Sequence, residues 1–351
     1  MKAVKGRFGK MIIQLEKFLT ENQKISNLLY CTEMKDGYWS NLTKNENAWL
    51  MELINEDSVE DSIKKTNPDL YDVIFSPKRQ AGIELLQLKG NEIVVDLGCM
   101  WGALTIPLAK QAKLVLGIDQ TMESLRFTEA RAKQEQLLNL KLLCGNLRAL
   151  KLPQNCFDAA VVNGVLEWIP EFGKVEVKNY LHDSFFSDNV GIPRVIQKRF
   201  LMDIRSSLSE SGRLYLAIEN RYDYKMFFGI RDPHSGLLLT SIAPRLIANL
   251  ISKIFRKRSY RTWIYSFNEL RTLLTEAGYS NVKLFSCWPD YRFPEYISPY
   301  GEINPYFKPM SARMGTQIEL KRLVANRLEW ALFKVLNLQT FAPSIICIAE
   351  K

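Results

Sequence analysis

Between Glu92 and Glu219 the chain alternates short, unbroken apolar runs with amphipathic segments, and this alternation constrains the fold more than any other feature. The runs are EIVVDLG, KLVLGID, LKLLCGN, FDAAVVNG and GRLYLAIEN. Their hydrophobicity is continuous rather than alternate, which suits strands covered on both faces. Strands of that kind are joined by crossover helices, so the pattern predicts βαβ units around a parallel sheet. An irregular insertion follows over residues 221–262. SFNELRTLLTEAGY then reads as a helix with Leu270, Leu273 and Leu274 on one face and Gly278 as its stop. NVKLFSCW and PSIICIAEK add two strands, separated by a Pro- and Tyr-rich loop and a helix within 289–340. Residues 1–75 are polar and helix-prone, and read as a helical cap on an α/β domain spanning 76–351.

Composition narrows the class of protein. The 351 residues suffice for a large core, and 47% hydrophobic with 24% charged residues is ordinary for a globular chain. Lys and Arg number 47 against 38 Asp and Glu, a net charge of +9 that selects no partner by itself. The six cysteines form no CxxC pair, so no metal is expected, and reduced thiols in the cytoplasm are. Glu16 and Lys17 break the apolar stretch behind the basic N-terminus, and no run is long enough to span a bilayer.

The first strand runs into VVDLGCMWGALTIPLA, a glycine-bearing turn that opens a helix. A nicotinamide turn of the form G-x-G-x-x-G needs glycines where Met100 and Ala103 stand, and Lys110 lies too far along for a phosphate-cradling loop. Asp96 just before the turn repels a pyrophosphate and favours a ligand with a cationic tail. Asp119 ends the next strand about 20 residues on, where a carboxylate accepts from both hydroxyls of a ribose. S-adenosylmethionine carries both features. Asn146 and the Leu147 N–H after the third strand are placed for an adenine edge, and Asn163 ends the fourth strand beside the expected methyl group.

In these residues the sequence resembles the class I, Rossmann-like S-adenosylmethionine-dependent methyltransferases, well over about Lys89 to Glu219 and more loosely over YSFNELRTLLTEAGYSNVKLF. The resemblance implies a seven-stranded sheet of order 3-2-1-4-5-7-6 with the last strand antiparallel and helices on both faces. It also implies cofactor binding by Asp96, Gly98, Cys99, Gly102, Asp119, Gln120, Asn146, Leu147, Asn163 and Gly164. The first motif departs from the family's pattern, because Met100 stands at its middle glycine.

Methyl transfer from a sulfonium is an in-line displacement that rewards alignment, and a hydroxyl acceptor gains further from a general base. Of two histidines, His182 and His234, the latter lies in RYDYKMFFGIRDPHSG among Glu219, Asn220, Arg221, Arg231 and Asp232. His234 and Glu219 are therefore the expected catalytic pair, with Asn220, Arg221 and Arg231 binding the acceptor. AIENRYDYKMFFGIRDPHSG, WPDYRFPEYISP and VIFSPKRQAGIELL resemble segments of a subgroup associated with bacterial surface-polysaccharide assembly. That resemblance implies a sugar-related hydroxyl and O-methylation. APRLIANLISKIFRKRSYRTW carries six positive charges and no acid beside an apolar helical face. It reads either as a lid packed on the domain or as a contact over 243–261 with a membrane or lipid-linked substrate. A nucleic-acid methyltransferase and a non-catalytic partner protein with this fold are the alternatives. NGVLEWIP lacks the pattern of base amino-methyltransferases, and no RNA-binding module is evident.

Overall fold

The computed structural model describes residues 6–32, 42–171, 191–302, 324, 327–331, 335–336 and 338–351. His182 and most of the helix expected around Ile318 to Leu336 lie outside the described residues. The five apolar runs form β3 (Ile93–Leu97), β4 (Leu114–Asp119), β5 (Leu140–Cys144), β6 (Phe157–Asn163) and β7 (Leu208–Glu219), all paired in parallel. All five residues of β3 are buried, as continuous hydrophobicity requires of a central strand.

The sheet has ten strands rather than seven. Its order is β1-β2-β5-β4-β3-β6-β7-β10-β8-β9, with β1 (Gln23–Lys24) and β2 (Leu29–Cys31) at one edge. β8 (Ser280–Trp288) and β9 (Tyr296–Pro299) form the other edge, and β10 (Ser344–Glu350) runs antiparallel to both β7 and β8. The segment expected as a purely helical cap thus also contributes strands. β2 pairs in parallel with β5 because Leu29 and Cys31 are apolar enough to join the buried layer.

Alternate residues of the strands feed two cores. Ile93, Val95 and Leu97 face the helices Arg7–Thr20, Ile192–Ser207 and Phe267–Glu276, while Val94 and Val115 face the helix Thr105–Gln111 and Leu125 of Met122–Gln134. The helix Phe267–Glu276 carries a reciprocal cap between Ser266 and Glu269, and Gly278 follows it at φ +93°. A third cluster joins the helices between residues 44 and 75 to Trp101 and Phe127. Trp101 meets Phe127 edge-on at 5.5 Å, so its role is to seat the N-terminal helices against the glycine turn. All six cysteines are free and buried, and no helix among the described residues is long and apolar enough to cross a membrane.

Candidate cofactor and acceptor site

The glycine turn lies at the carboxyl end of β3, where an open α/β sheet binds its ligand. Gly98 and Gly102 have φ of +82° and +73°, a region glycine enters freely. A Cβ on Gly98 would lie 2.4 Å from Val165, and one on Gly102 would lie 2.6 Å from Thr128. Both glycines are thus required by the protein's own packing, before any ligand is considered. Met100 sits at φ +42° and takes the glycine-like conformation despite its side chain. Its N–H donates to Asp119 Oδ2 at 2.9 Å, its carbonyl accepts from Thr128, and its side chain packs on the Trp101–Phe127 cluster. The methionine is therefore absorbed by the N-terminal helices.

Asp119 is buried, with the Met100 and Thr121 N–H groups each donating to one oxygen. A carboxylate so held keeps acceptor capacity on both oxygens, the geometry two vicinal hydroxyls need. Asp96 is buried beside it and accepts from the Thr105 hydroxyl at 2.7 Å. Burial holds the Asp96 carboxyl up at about 7 against the Thr105 bond, and Asp119 adds to the rise. Burial also raises Asp119. Two buried acids with no ion pair among the described residues fit a cofactor bearing an ammonium and a sulfonium, and the residues present fit S-adenosylmethionine.

The other expected cofactor residues divide. Cys99 is a packing residue: its thiol lies in the core, its N–H donates to the Ile118 carbonyl, and its carbonyl accepts from Gly102. Gln120, Asn146 and Leu147 are half-buried around the ends of β4 and β5, and Asn146 Oδ1 accepts from the Arg148 N–H. Asn163 accepts from Tyr215, and a Cβ on Gly164 would meet the Tyr291 hydroxyl.

Past β6 and β7 a second group assembles. His234 Nε2 lies 3.6 Å from Glu219 Oε2 and 3.9 Å from Glu167 Oε1, while Nδ1 faces Asp232 Oδ1 at 3.4 Å. The imidazole is almost wholly buried and meets Trp168 edge-on at 5.0 Å. Tyr291 donates to Glu219 Oε1 at 3.3 Å. Asp232 is fixed by the His234 and Ser235 N–H groups and by the hydroxyls of Thr240 and Tyr260. Burial works against the charged imidazole, but Asp232, Glu219 and Glu167 outweigh it and hold His234 up at about 9. Burial and then the Glu219 carboxylate push Glu167 well above the usual range.

Two of the three expected acceptor-binding residues are occupied by the fold. Asn220 donates to the carbonyls of Thr340 and Ala342 at 2.7 Å each. Arg221 is buried, donates to Ser241 and Ala243 carbonyls, and pairs with Glu269. A pair of polar side chains after a strand looks the same in sequence whether it serves a ligand or ties down a loop. Arg231 is exposed and donates to the Gly236 carbonyl. Glu167 and Tyr291 were not anticipated, although the lone acid in the apolar run VLEWIP was the available signal for Glu167.

A family model described as "Methyltransferase domain" matches residues 94–182. An uncharacterized methyltransferase of Schizosaccharomyces pombe is 33% identical over 244 residues, covering 62% of this chain and 87% of the relative. Ubiquinone biosynthesis O-methyltransferase of Coxiella burnetii is 31% identical over 99 residues, 28% of this chain and 42% of that protein. 23S rRNA (uracil(1939)-C(5))-methyltransferase RlmD of Francisella tularensis subsp. novicida is 25% identical over 156 residues, 44% of this chain and 32% of that protein. The chain belongs to the class I S-adenosylmethionine-dependent methyltransferases. S-adenosylmethionine is its cofactor.

Two outcomes follow. Asp119→Ala, by removing the acceptor for the ribose hydroxyls, weakens S-adenosylmethionine by about 1–3 kcal/mol in calorimetric titration, and unchanged affinity in a folded variant removes the assignment. Glu167 and His234 both bind protons more tightly in the fold than in the unfolded chain, whose reference values are 4.5 and 6.5. Their contribution to stability is therefore present at low pH and lost as pH rises, for His234 through about 9. The unfolding temperature of chelator-treated, ligand-free protein accordingly falls as pH rises from 6.5 to about 9, and Glu167→Gln flattens the fall.

Proposed function

We propose that the protein O-methylates a hydroxyl of a small-molecule or glycan-type acceptor by in-line transfer. The observation that carries this reading is the cluster of Glu167, Glu219 and His234 beside Asn163 and Gly164, next to the expected methyl position. A neutral amine needs no proton acceptor to be methylated, whereas a hydroxyl gains from one.

The cofactor supplies a methyl group on a positively charged sulfur. Asp119 and Asp96 orient the cofactor from the ends of β4 and β3. Glu219 Oε2 is buried and has no hydrogen-bond partner among the described residues, so it is the carboxylate oxygen left to accept from a hydroxyl. Tyr291 holds the other oxygen of that carboxylate and so fixes its direction. His234, expected as the base, is held as an imidazolium at neutral pH; it orients Glu219 and balances its charge. Trp168 and the enclosing loop keep water from the imidazole.

A sugar-related acceptor is supported by the convergence of three segments. AIENRYDYKMFFGIRDPHSG supplies Glu219, Asp232 and His234, and WPDYRFPEYISP supplies Tyr291. VIFSPKRQAGIELL pins the second to the domain through a buried 2.6 Å pair between Lys78 and Glu295 and through Arg79, which donates to the Arg292 carbonyl. The three phrases that resemble the polysaccharide-associated subgroup thus build a single unit around the acceptor side of the site.

The test is turnover with nucleotide sugars and lipid-linked sugars, with the product's methylated atom read by NMR. His234→Ala and Glu219→Gln are expected to lower turnover roughly 10²–10⁴-fold while leaving S-adenosylmethionine affinity within about twofold. A methyl group found on nitrogen, or full turnover in both variants, overturns the reading.

A further inference from the structure

The structure assigns a divalent-cation site, of the Mn²⁺ or Mg²⁺ type, to Glu167, Glu219 and His234. One ligand atom from each lies within 4.8 Å of the other two. Glu167 is fully buried, and neither of its carboxylate oxygens has a hydrogen-bond partner. Such a group is costly to bury unless something positive sits against it. Glu219 Oε2 is likewise without a hydrogen-bond partner and turned toward the same point. On the far side of the imidazole, Nδ1 faces Asp232 at 3.4 Å, and four donors lock that carboxylate. A carboxylate behind a histidine is the usual outer support of a metal-bound ring.

Two carboxylates with one imidazole suit a hard or borderline ion that keeps open positions for oxygen ligands. Ligands at about 2.1 Å from such an ion stand roughly 3 Å apart, so the two carboxylates close on His234 by under about 1 Å and on each other by up to about 2 Å. The absence of a cysteine pair led to the expectation of no metal; this donor set is scattered over three segments and has no spacing to read. The inference rests on the proposed hydroxyl activation: with the ion bound, His234 releases its Nε2 proton and Glu219 becomes a ligand, so the ion takes the place of the imidazolium in balancing the carboxylates and orients the acceptor oxygen.

Binding is read without any acceptor, so its failure and that of O-methylation are distinguishable. Chelator-stripped protein is titrated with Mn²⁺, followed by the ion's paramagnetic resonance and by quenching of tryptophan fluorescence, since Trp168 lies 5.0 Å from His234. One ion per chain is expected, weakened roughly tenfold or more in Glu219→Gln and in Glu167→Gln, and unchanged in Asp119→Ala. No binding to folded wild-type protein, or equal binding in both carboxylate variants, overturns the site.

A separate observation concerns the helix Arg245–Arg256, which is mounted with its apolar side outward. Ala248, Asn249 and Ser252 are buried, with Asn249 accepting from the Tyr260 N–H and Ser252 donating to the Arg258 carbonyl. Leu246 and Phe255 are 72% and 70% exposed, and Ile247, Leu250 and Ile254 are exposed beside them. Phe228, 82% exposed, lies in the same insertion. Lys253, Arg256, Lys257 and Arg258 are exposed at the helix end, with no acid anywhere in the helix. The reading of this helix as a lid with its apolar side packed inward is therefore corrected. Arg258 pairs with Glu171 at 2.7 Å, while Lys253, Arg256 and Lys257 carry the positive charge beside the stripe. We infer that the face docks on an anionic phospholipid surface, because an apolar stripe on a basic, acid-free helix matches acyl chains and headgroups together.

Full-length protein is expected to co-sediment with phosphatidylglycerol-rich vesicles and not with pure phosphatidylcholine vesicles. Leu250→Ser with Phe255→Ser lowers vesicle binding roughly tenfold or more, with the S-adenosylmethionine affinity retained. No vesicle binding by wild-type protein, or a dimer in light scattering that the same double variant dissolves, overturns the inference in favour of no membrane or of a second copy.

Discussion

The cluster proposed to receive the acceptor depends on one buried carboxylate. Asp232 receives two backbone N–H groups from its own turn, the Thr240 hydroxyl and the Tyr260 hydroxyl, and its remaining reach is toward the His234 ring. A buried charge is tolerable only when bonded on all sides, so these donors are obligatory rather than incidental. Through them one carboxylate ties the turn that carries His234 to Thr240 and to Tyr260, which follows the amphipathic helix Arg245–Arg256. His234 and the segment that follows the exposed apolar helix are thereby tied to the same carboxylate.

Much of the fold was legible because its strands are buried on both faces and its helices on one, and both periodicities survive in a single sequence. The glycine turn was legible for a similar reason: Asp96, Gly98, Gly102 and Asp119 are local to two strand ends. What failed was inference about partners. Asn220 and Arg221 looked like ligand-binding groups, but their donors go to carbonyls more than 20 residues away or to residues 340 and 342. Cys99 sits inside the motif yet belongs to the core. Edge strands β1 and β2 span two and three residues, too short for any periodic signal.

Glu167 illustrates the deeper limit. It is adjacent in sequence to Leu166 and Trp168, neither of them polar, and its neighbours in space arrive from the end of β7 and from the insertion. Sequence marks such a residue only as an acid in an apolar setting. The same is true of Met100, which in sequence is only a departure from the family's glycine pattern and in the structure packs on the N-terminal helices.

That packing has a consequence for how the turn is held. Trp101 and Met100 belong to the glycine turn by sequence and to the helices between residues 44 and 75 by packing. Phe127, which receives Trp101 edge-on, stands on the helix that begins just after Asp119, and Phe75 meets the same ring from the N-terminal side. The N-terminal helices and the turn therefore share one core, and loosening either costs packing of the other. A segment that contributes no described group to the cofactor acids thereby helps to hold the shape of the turn beside them.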